Sequence, residues 1–250
     1  MRIAWDNEFD KYTITANSEA SGYPATNINQ DFTLAKKSRT TGDTSENWLI
    51  DAGAGETITA TCAAIAGHNI SSGATTIKIQ GNAADSWGSP TVNQSITHAT
   101  GMMIVFFSTQ SLRFWRFLVE DASNPDTYIE IGRLFLGTYL DLANVIYRAF
   151  PETIISTSDI DYTLTGQLYG DKGIQQKLYN FQLPYLTNTQ KENLETMFET
   201  VDIVKPVFLT IDENDLTQIE PIYAAINDDL SFNHIIGYKW NTTLAFKEAK

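Results

Sequence analysis

The 250-residue chain contains one cysteine and three histidines, and each scarcity excludes something. Cys62 has no partner for an internal disulfide, and no Cys or His stands near it at metal-ligand spacing. Inside the apolar run TATCAAIAG it reads as a small buried hydrophobe. His68, His98 and His234 are not spaced with Cys, Asp or Glu as a zinc motif demands. Basic residues are also scarce: seventeen Lys and Arg against thirty Asp and Glu give a net charge of −13. A general nucleic-acid binder needs the opposite sign, because neutralised phosphates supply most of its affinity. The one basic cluster, Lys36, Lys37 and Arg39, sits in a Ser/Thr-rich loop. It reads as pairing with acids of a neighbouring subunit or as holding its own loop. Long apolar runs are missing too. The longest, residues 102–107, falls far short of the ~20 residues that span a bilayer. The start, MRIAWDNEFD, is charged where a signal peptide would be apolar. The expectation is a chain made in a cytoplasm and not inserted in a membrane.

What is present favours strands. Aromatics make up 12% of the chain and Thr, Ile and Asn are plentiful, which suits half-buried pleated surfaces. Up to about Leu142, short segments with period-two alternation (48–51, 77–80, 113–119) are separated by Gly, Asn, Ser and Asp clusters at 18–23, 52–56, 71–73 and 121–126. That is the pattern of a β-sandwich or jelly roll. A different register begins near Asn144, with a boundary expected at 141–147 and domains expected at 1–142 and 143–250. Residues 154–166 alternate, Asp171, Lys172 and Gly173 read as a turn, and a strand follows through 177–183. One helix is expected near 189–202. Thr189 and Glu192 have capping-box spacing, and Leu194, Met197, Phe198 and Val201 form one apolar face. Lys205 before Pro206 ends it, and strands resume at 207–211, 221–226 and 238–246. The fold class is mainly β, an N-terminal sandwich and a C-terminal β-domain with one packed helix.

Catalytic chemistry finds little support. No nucleophile elbow, phosphate-binding glycine loop or dinucleotide fingerprint occurs. Asp159 and Asp161 are two apart on an expected strand and share a face, which could raise one pKa for acid catalysis; the alternative is a solvated strand face. Asp212 to Asp215 resembles the opening of a calcium loop, but Leu216 and Thr217 occupy places where a ligand and the turn glycine belong. No enzyme and no cofactor is expected. For carbohydrate, an exposed indole can stack on a pyranose while Asp, Asn and His read hydroxyls. The candidates are Trp87 with Asp85, and His68 with Asn69. Trp87 has the alternative of packing over a sandwich end or in a subunit contact, and His68 that of bonding to turn backbone. Trp5, Trp48, Trp115 and Trp240 lie in strand-like runs and read as core.

The order of landmarks in residues 1–140 resembles the discoidin, or galactose-binding-like, jelly roll. Tyr23-Pro24-Ala25-Thr26-Asn27-Ile28 is followed by Trp48-Leu49-Ile50-Asp51-Ala52-Gly53, then Gly67-His68-Asn69-Ile70-Ser71. Residues 75–81, Leu112 to Arg116 and Tyr128 to Gly137 complete the series. Asp6-Asn7 and the Gly-His-Asn turn resemble N-terminal modules of bacteriophage tail proteins. The C-terminal half, ending in Trp240 to Glu248, is similar in layout to hub domains of distal tail and tail-tip proteins, which place their modules in the reverse order. The resemblance implies a non-enzymatic subunit of a phage tail tip or baseplate, located in the virion. It implies a ring of three or six copies with tail-tube and hub neighbours, and DNA contacted only in passing through an acidic lumen. The alternative it implies is an adhesin that recognises host surface glycans through the N-terminal domain. Some discoidin-type domains hold calcium; the matching acid here would be Asp31, in a stretch that lacks the usual glycine.

Overall fold

The structure is a computed structural model that describes residues 1–30, 33–142, 150–211 and 220–249. The chain divides into two compact units, Met1–Ala143 with Pro206–Tyr223, and Asn144–Lys205 with Ala224–Lys250. Part of the expected boundary, residues 143–147, lies outside the described residues, as do Asp31 and Asp212 to Asp215.

The first unit contains β1 (Arg2–Ala4), β2 (Ile14–Ala16), β3 (Ser38–Arg39), β4 (Glu46–Asp51), β5 (Ile58–Ala66) and β6 (Thr76–Asn82). It continues with β7 (Val92–Ser95), β8 (Met103–Leu112), β9 (Phe114–Glu120), β10 (Glu130–Ile131), β11 (Arg133–Gly137) and β12 (Leu140–Asp141). Two antiparallel sheets, ordered β2-β4-β9-β6-β7 and β11-β5-β8, make a β-sandwich. Period-two alternation explains it: Trp48 and Ile50, Ile77 and Ile79, and Trp115, Phe117 and Val119 point inward from the larger sheet. Ile58, Ile65, Met103, Leu134 and Leu136 from the smaller sheet join the same buried cluster. Both inner indoles are satisfied, Trp48 Nε1 donating to Ser38 Oγ at 2.9 Å and Trp115 Nε1 to the Leu112 carbonyl at 3.1 Å. Gly81 belongs to this packing, because a Cβ there would lie 2.8 Å from the Trp115 ring. Asn7 ties the N-terminal segment to β11: its amide donates to the Leu134 carbonyl at 2.9 Å and accepts from the Leu136 N–H at 3.1 Å. A separate ladder of the same unit runs β12-β1 and on to β17 (Val207–Thr210).

The second unit contains β13 (Glu152–Ser156), β14 (Asp159–Tyr162), β15 (Leu168–Asp171), β16 (Gln175–Leu186), α1 (Asn188–Val201), β18 (Ile222–Ile226), β19 (Asn233–Ile236) and β20 (Lys239–Glu248). β18 begins in the first unit's segment and pairs with β20 through Ala224, Ala225 and Ile226. β20 also pairs with β16, which pairs with β13, while β19 lies along the other end of β20. Leu194, Met197 and Val201 are buried on the inner face of α1, and Phe181 meets Phe150 and Phe246 at ring separations of 5.0 and 6.0 Å.

Four expectations change. The capping box is Thr187 with Gln190, two residues before the expected pair. Two overlapping Thr-x-x-(Glu/Gln) patterns exist, and the earlier one wins because β16 runs to Leu186 and the chain must turn at once. The turn expected at 171–173 is not the hairpin tip. The chain reverses at 163–167, where Gly166 has a φ of 78°, and β14 pairs with β15 as a two-stranded arm. Trp5 and Trp240 are half-buried, unlike the fully buried Trp48 and Trp115; the Trp240 indole N–H donates to Asn188 Oδ1 at 2.8 Å. Finally, residues 206–223 group with the N-terminal residues and not with the C-terminal unit.

Candidate functional site

The turn after β5 carries His68 and Asn69. His68 Nδ1 accepts from the Ile70 N–H at 3.2 Å and Nε2 bonds the Gly101 carbonyl at 2.8 Å, which requires the Nε2–H tautomer. Burial pushes the pKa of the ring down, and the nearby His98 pushes the same way. Asn69 Nδ2 donates to the Tyr128 carbonyl and to Asp126, both at 3.0 Å, and Oδ1 accepts from the Glu130 N–H at 2.7 Å. Behind them Asp121 is fully buried and accepts from the Ser71 N–H, Ser71 Oγ and Asn124 Nδ2. Both Asn69 amide protons and both His68 ring nitrogens are thus engaged by the protein. These bonds hold three connections together.

Two of the three residues of the neighbouring basic cluster are likewise engaged. Lys37 and Arg39 both pair with Glu130, and the Arg39 guanidinium lies 4.0 Å from the Tyr23 ring centroid and 4.3 Å from that of Tyr128. Lys37 and Arg39 thus pair within the chain, with a carboxylate of the adjacent strand β10.

Trp87 lies in the β6–β7 connection. β6 has seven residues, so roughly 20 Å of strand separates its two ends. His68 and Asn69 precede the strand and Asp85 and Trp87 follow it; the four candidates do not converge on one site. Trp87 is half-buried, and its Nε1–H donates to Asp85 Oδ1 at 2.7 Å. One face of the indole is covered by Arg116 of β9, whose guanidinium carbon is 4.3 Å from the ring centroid. Arg116 Nε donates to Gln80 Oε1 at 2.8 Å, and Gln80 Nε2 donates to Asn93 Oδ1 at 3.0 Å. The ladder places these side by side: Gln80 is opposite Arg116 on β9 and opposite Asn93 on β7. The outer face of the five-stranded sheet therefore carries a row of planar polar groups that leads to an indole. Burial pushes the Arg116 pKa below the usual guanidinium value, against the opposing pull of Asp85 and Glu120.

Sequence reading missed Arg116 and Gln80. The signal was their outward register beside the inward Trp115, Phe117 and Ile79, but nothing in the sequence alone pairs β9 with β6.

The remaining candidates stand apart. Asp159 and Asp161 are exposed on β14, opposite Asp171 and Tyr169. Cys62 is buried, and burial pushes its thiol pKa far upward. Among the described residues, no group of three His, Cys, Asp or Glu side chains is placed to hold a metal ion. No described helix is long and apolar enough to cross a membrane.

The second unit shows a different feature. All strongly exposed large apolar side chains among the described residues belong to it, Ile154, Ile160, Tyr162, Leu164, Leu168 and Tyr169 among them. Every residue from 156 to 172 is exposed. In the β14–β15 ladder, Tyr162 stands opposite Leu168 with Ile160 two residues away, so one face of the arm is apolar. Asp159 and Asp161 alternate with them onto the other face.

No protein-family model matches the chain, and no curated protein matches it. Among solved structures, it is similar to the lectin domain of lectinolysin complexed with Lewis B antigen, at 14% identity and a TM-score of 0.39. That match covers 51% of this chain and 92% of the other. It is also similar to a family 32 carbohydrate-binding module of C. perfringens NanJ in complex with galactose, at 14% identity and a TM-score of 0.42. There 56% of this chain and 100% of the other are covered. A chitosan-binding module from a Paenibacillus sp. IK-5 chitosanase/glucanase matches at 18% identity and a TM-score of 0.41, covering 54% of this chain and 99% of that one.

Proposed function

We propose that the chain is a non-catalytic structural subunit that assembles through its second unit, in the setting the sequence resemblance implies, a bacteriophage tail tip or baseplate. The observation that carries this reading is the arm. A two-stranded hairpin is marginally stable by itself, and this one has every residue in solvent and an apolar face with no core beneath it. Soluble monomers seldom leave such a face uncovered. A neighbouring subunit covers it in the assembly, and closed cyclic symmetry of three or six copies is the expected arrangement.

Cross-linking tests this. Cys62 is buried, so a cysteine introduced on the arm is the one accessible thiol. Leu168→Cys labelled with a short maleimide photo-cross-linker, which couples on irradiation to whatever covers it, should yield covalent multimers, whereas Gly88→Cys in the first unit should not. Monomers alone from Leu168→Cys would overturn the reading.

Carbohydrate recognition by the first unit is the second reading. The similar solved structures above are a lectin domain and two carbohydrate-binding modules, and for this chain the reading stands on the Trp87–Arg116–Gln80–Asn93 row. A glycan array with the full chain tests it: glycans retained by the native protein should be lost by Trp87→Ala, and unchanged retention would count against it.

A further inference from the structure

The geometry points to Arg116 as the reader of a carboxylate, so that the outer face of the five-stranded sheet binds an acidic sugar, a hexuronate. This inference rests on the carbohydrate reading of the first unit and narrows it to a substrate class.

Arg2, Arg39, Arg113 and Arg133 each form an ion pair, with Asp141, Glu130, Asp51 and Asp10 respectively. Arg116 is the one arginine among the described residues that does not. This happens in a chain with thirteen more acids than bases, where a carboxylate partner is easy to supply. The two acids whose charge acts on it, Asp85 and Glu120, make no ion pair with it and each accept a different bond, from the Trp87 indole and from the Thr76 hydroxyl.

Arg116 is nonetheless held in place. The bond from Nε to Gln80 fixes the plane of the guanidinium, and the Trp87 ring lies over one face. Gln80 is buried and is itself held by Asn93, so the support does not swing freely. Its terminal amino groups, Nη1 and Nη2, make no bond to the described protein. A guanidinium that is positioned, partly desolvated and unused along its two-pronged edge is preorganised for a planar carboxylate, which it meets with two parallel bonds.

A bare anion is a poor fit for so acidic a chain. The flanking groups supply what a sugar ring adds. Asn93 is exposed and its Nδ2 has no partner among the described residues, leaving a donor for a hydroxyl. The half-exposed indole offers apolar surface to ring C–H groups. Carboxylate, hydroxyl and ring would thus each meet a group of matching chemistry.

The test uses the full chain at neutral pH and low salt. Trisaccharides of galacturonate, glucuronate and mannuronate are titrated calorimetrically beside neutral trisaccharides of galactose, glucose and mannose. At least one uronate should bind, more tightly than its neutral counterpart. Arg116→Gln should weaken it at least tenfold, while Arg113→Gln, which changes an arginine already paired with Asp51, should leave it unaltered. Should Arg116→Gln fail to fold by circular dichroism, Arg116→Lys carries the test: it keeps the charge, lacks the two-pronged edge, and should also weaken the uronate while leaving any neutral sugar unaltered. Equal binding by Arg116→Gln, or no uronate binding beside clear binding of a neutral sugar, overturns the inference and leaves the carbohydrate reading standing. Binding of no saccharide at all removes both.

Discussion

Ile160 and Leu168 share the apolar face of the β14–β15 arm, where they are 62% and 67% exposed. Replacing both with aspartate should break self-association. Full burial of such a side chain is worth about 1.5–3 kcal/mol, so covering the exposed two thirds contributes about 1–2 kcal/mol each. The pair then accounts for about 2–4 kcal/mol per contact, and two carboxylates placed in an apolar contact cost more again. Since 1.4 kcal/mol is tenfold, the dissociation constant should rise by at least about a hundredfold. Sedimentation velocity over a dilution series reads this directly. Because both side chains stand in water in the lone chain, the unfolding midpoint of the dissociated protein should scarcely move. An unchanged dissociation constant would refute the reasoning, and so would a large loss of monomer stability, since that would mean the arm packs on its own unit.

Three other outcomes follow. Thr187→Ala removes the N-cap of α1 and should cost about 1 kcal/mol in urea unfolding, whereas Thr189→Ala should cost well under that. The folded-state pKa of His68 lies below the unfolded value near 6.5, so its contribution to stability is full above that pH. It should be lost as pH falls toward the folded pKa, and His68→Gln should flatten that slope in unfolding titrations. The Arg113 guanidinium and then the Gly53 N–H hold the Asp51 carboxyl down to about 2. Arg113→Gln should raise it toward the ordinary carboxylate range, as read by NMR titration.

The sandwich was legible because inward and outward residues alternate so cleanly: Trp48 and Ile50, and Trp115, Phe117 and Val119, declare one buried face without knowledge of any partner strand. The helix was legible from Leu194, Met197 and Val201. Its start was read two residues late, since Thr187 and Thr189 offer the same local capping chemistry and only the end of β16 decides between them. The arm was misread because Asp171, Lys172 and Gly173 look more turn-like than residues 163–167, and strand register is a long-range property. The candidate site was half legible. Trp87 announces itself in a polar loop, but Arg116 becomes interesting only once the ladder sets it beside Gln80 and under the indole. His68 and Asn69 looked available because sequence lists polar groups without their partners. The backbone atoms that engage them come from Ile70, Gly101, Tyr128 and Glu130, most of them remote in sequence.

The native mass of the full chain, measured by light scattering from low to high micromolar concentration, tests the central claim most directly. One chain is 27.9 kDa. Assembly through the second unit predicts a discrete species of three or six times that mass, giving way to the single chain on dilution. A mass of one chain at every concentration would contradict it.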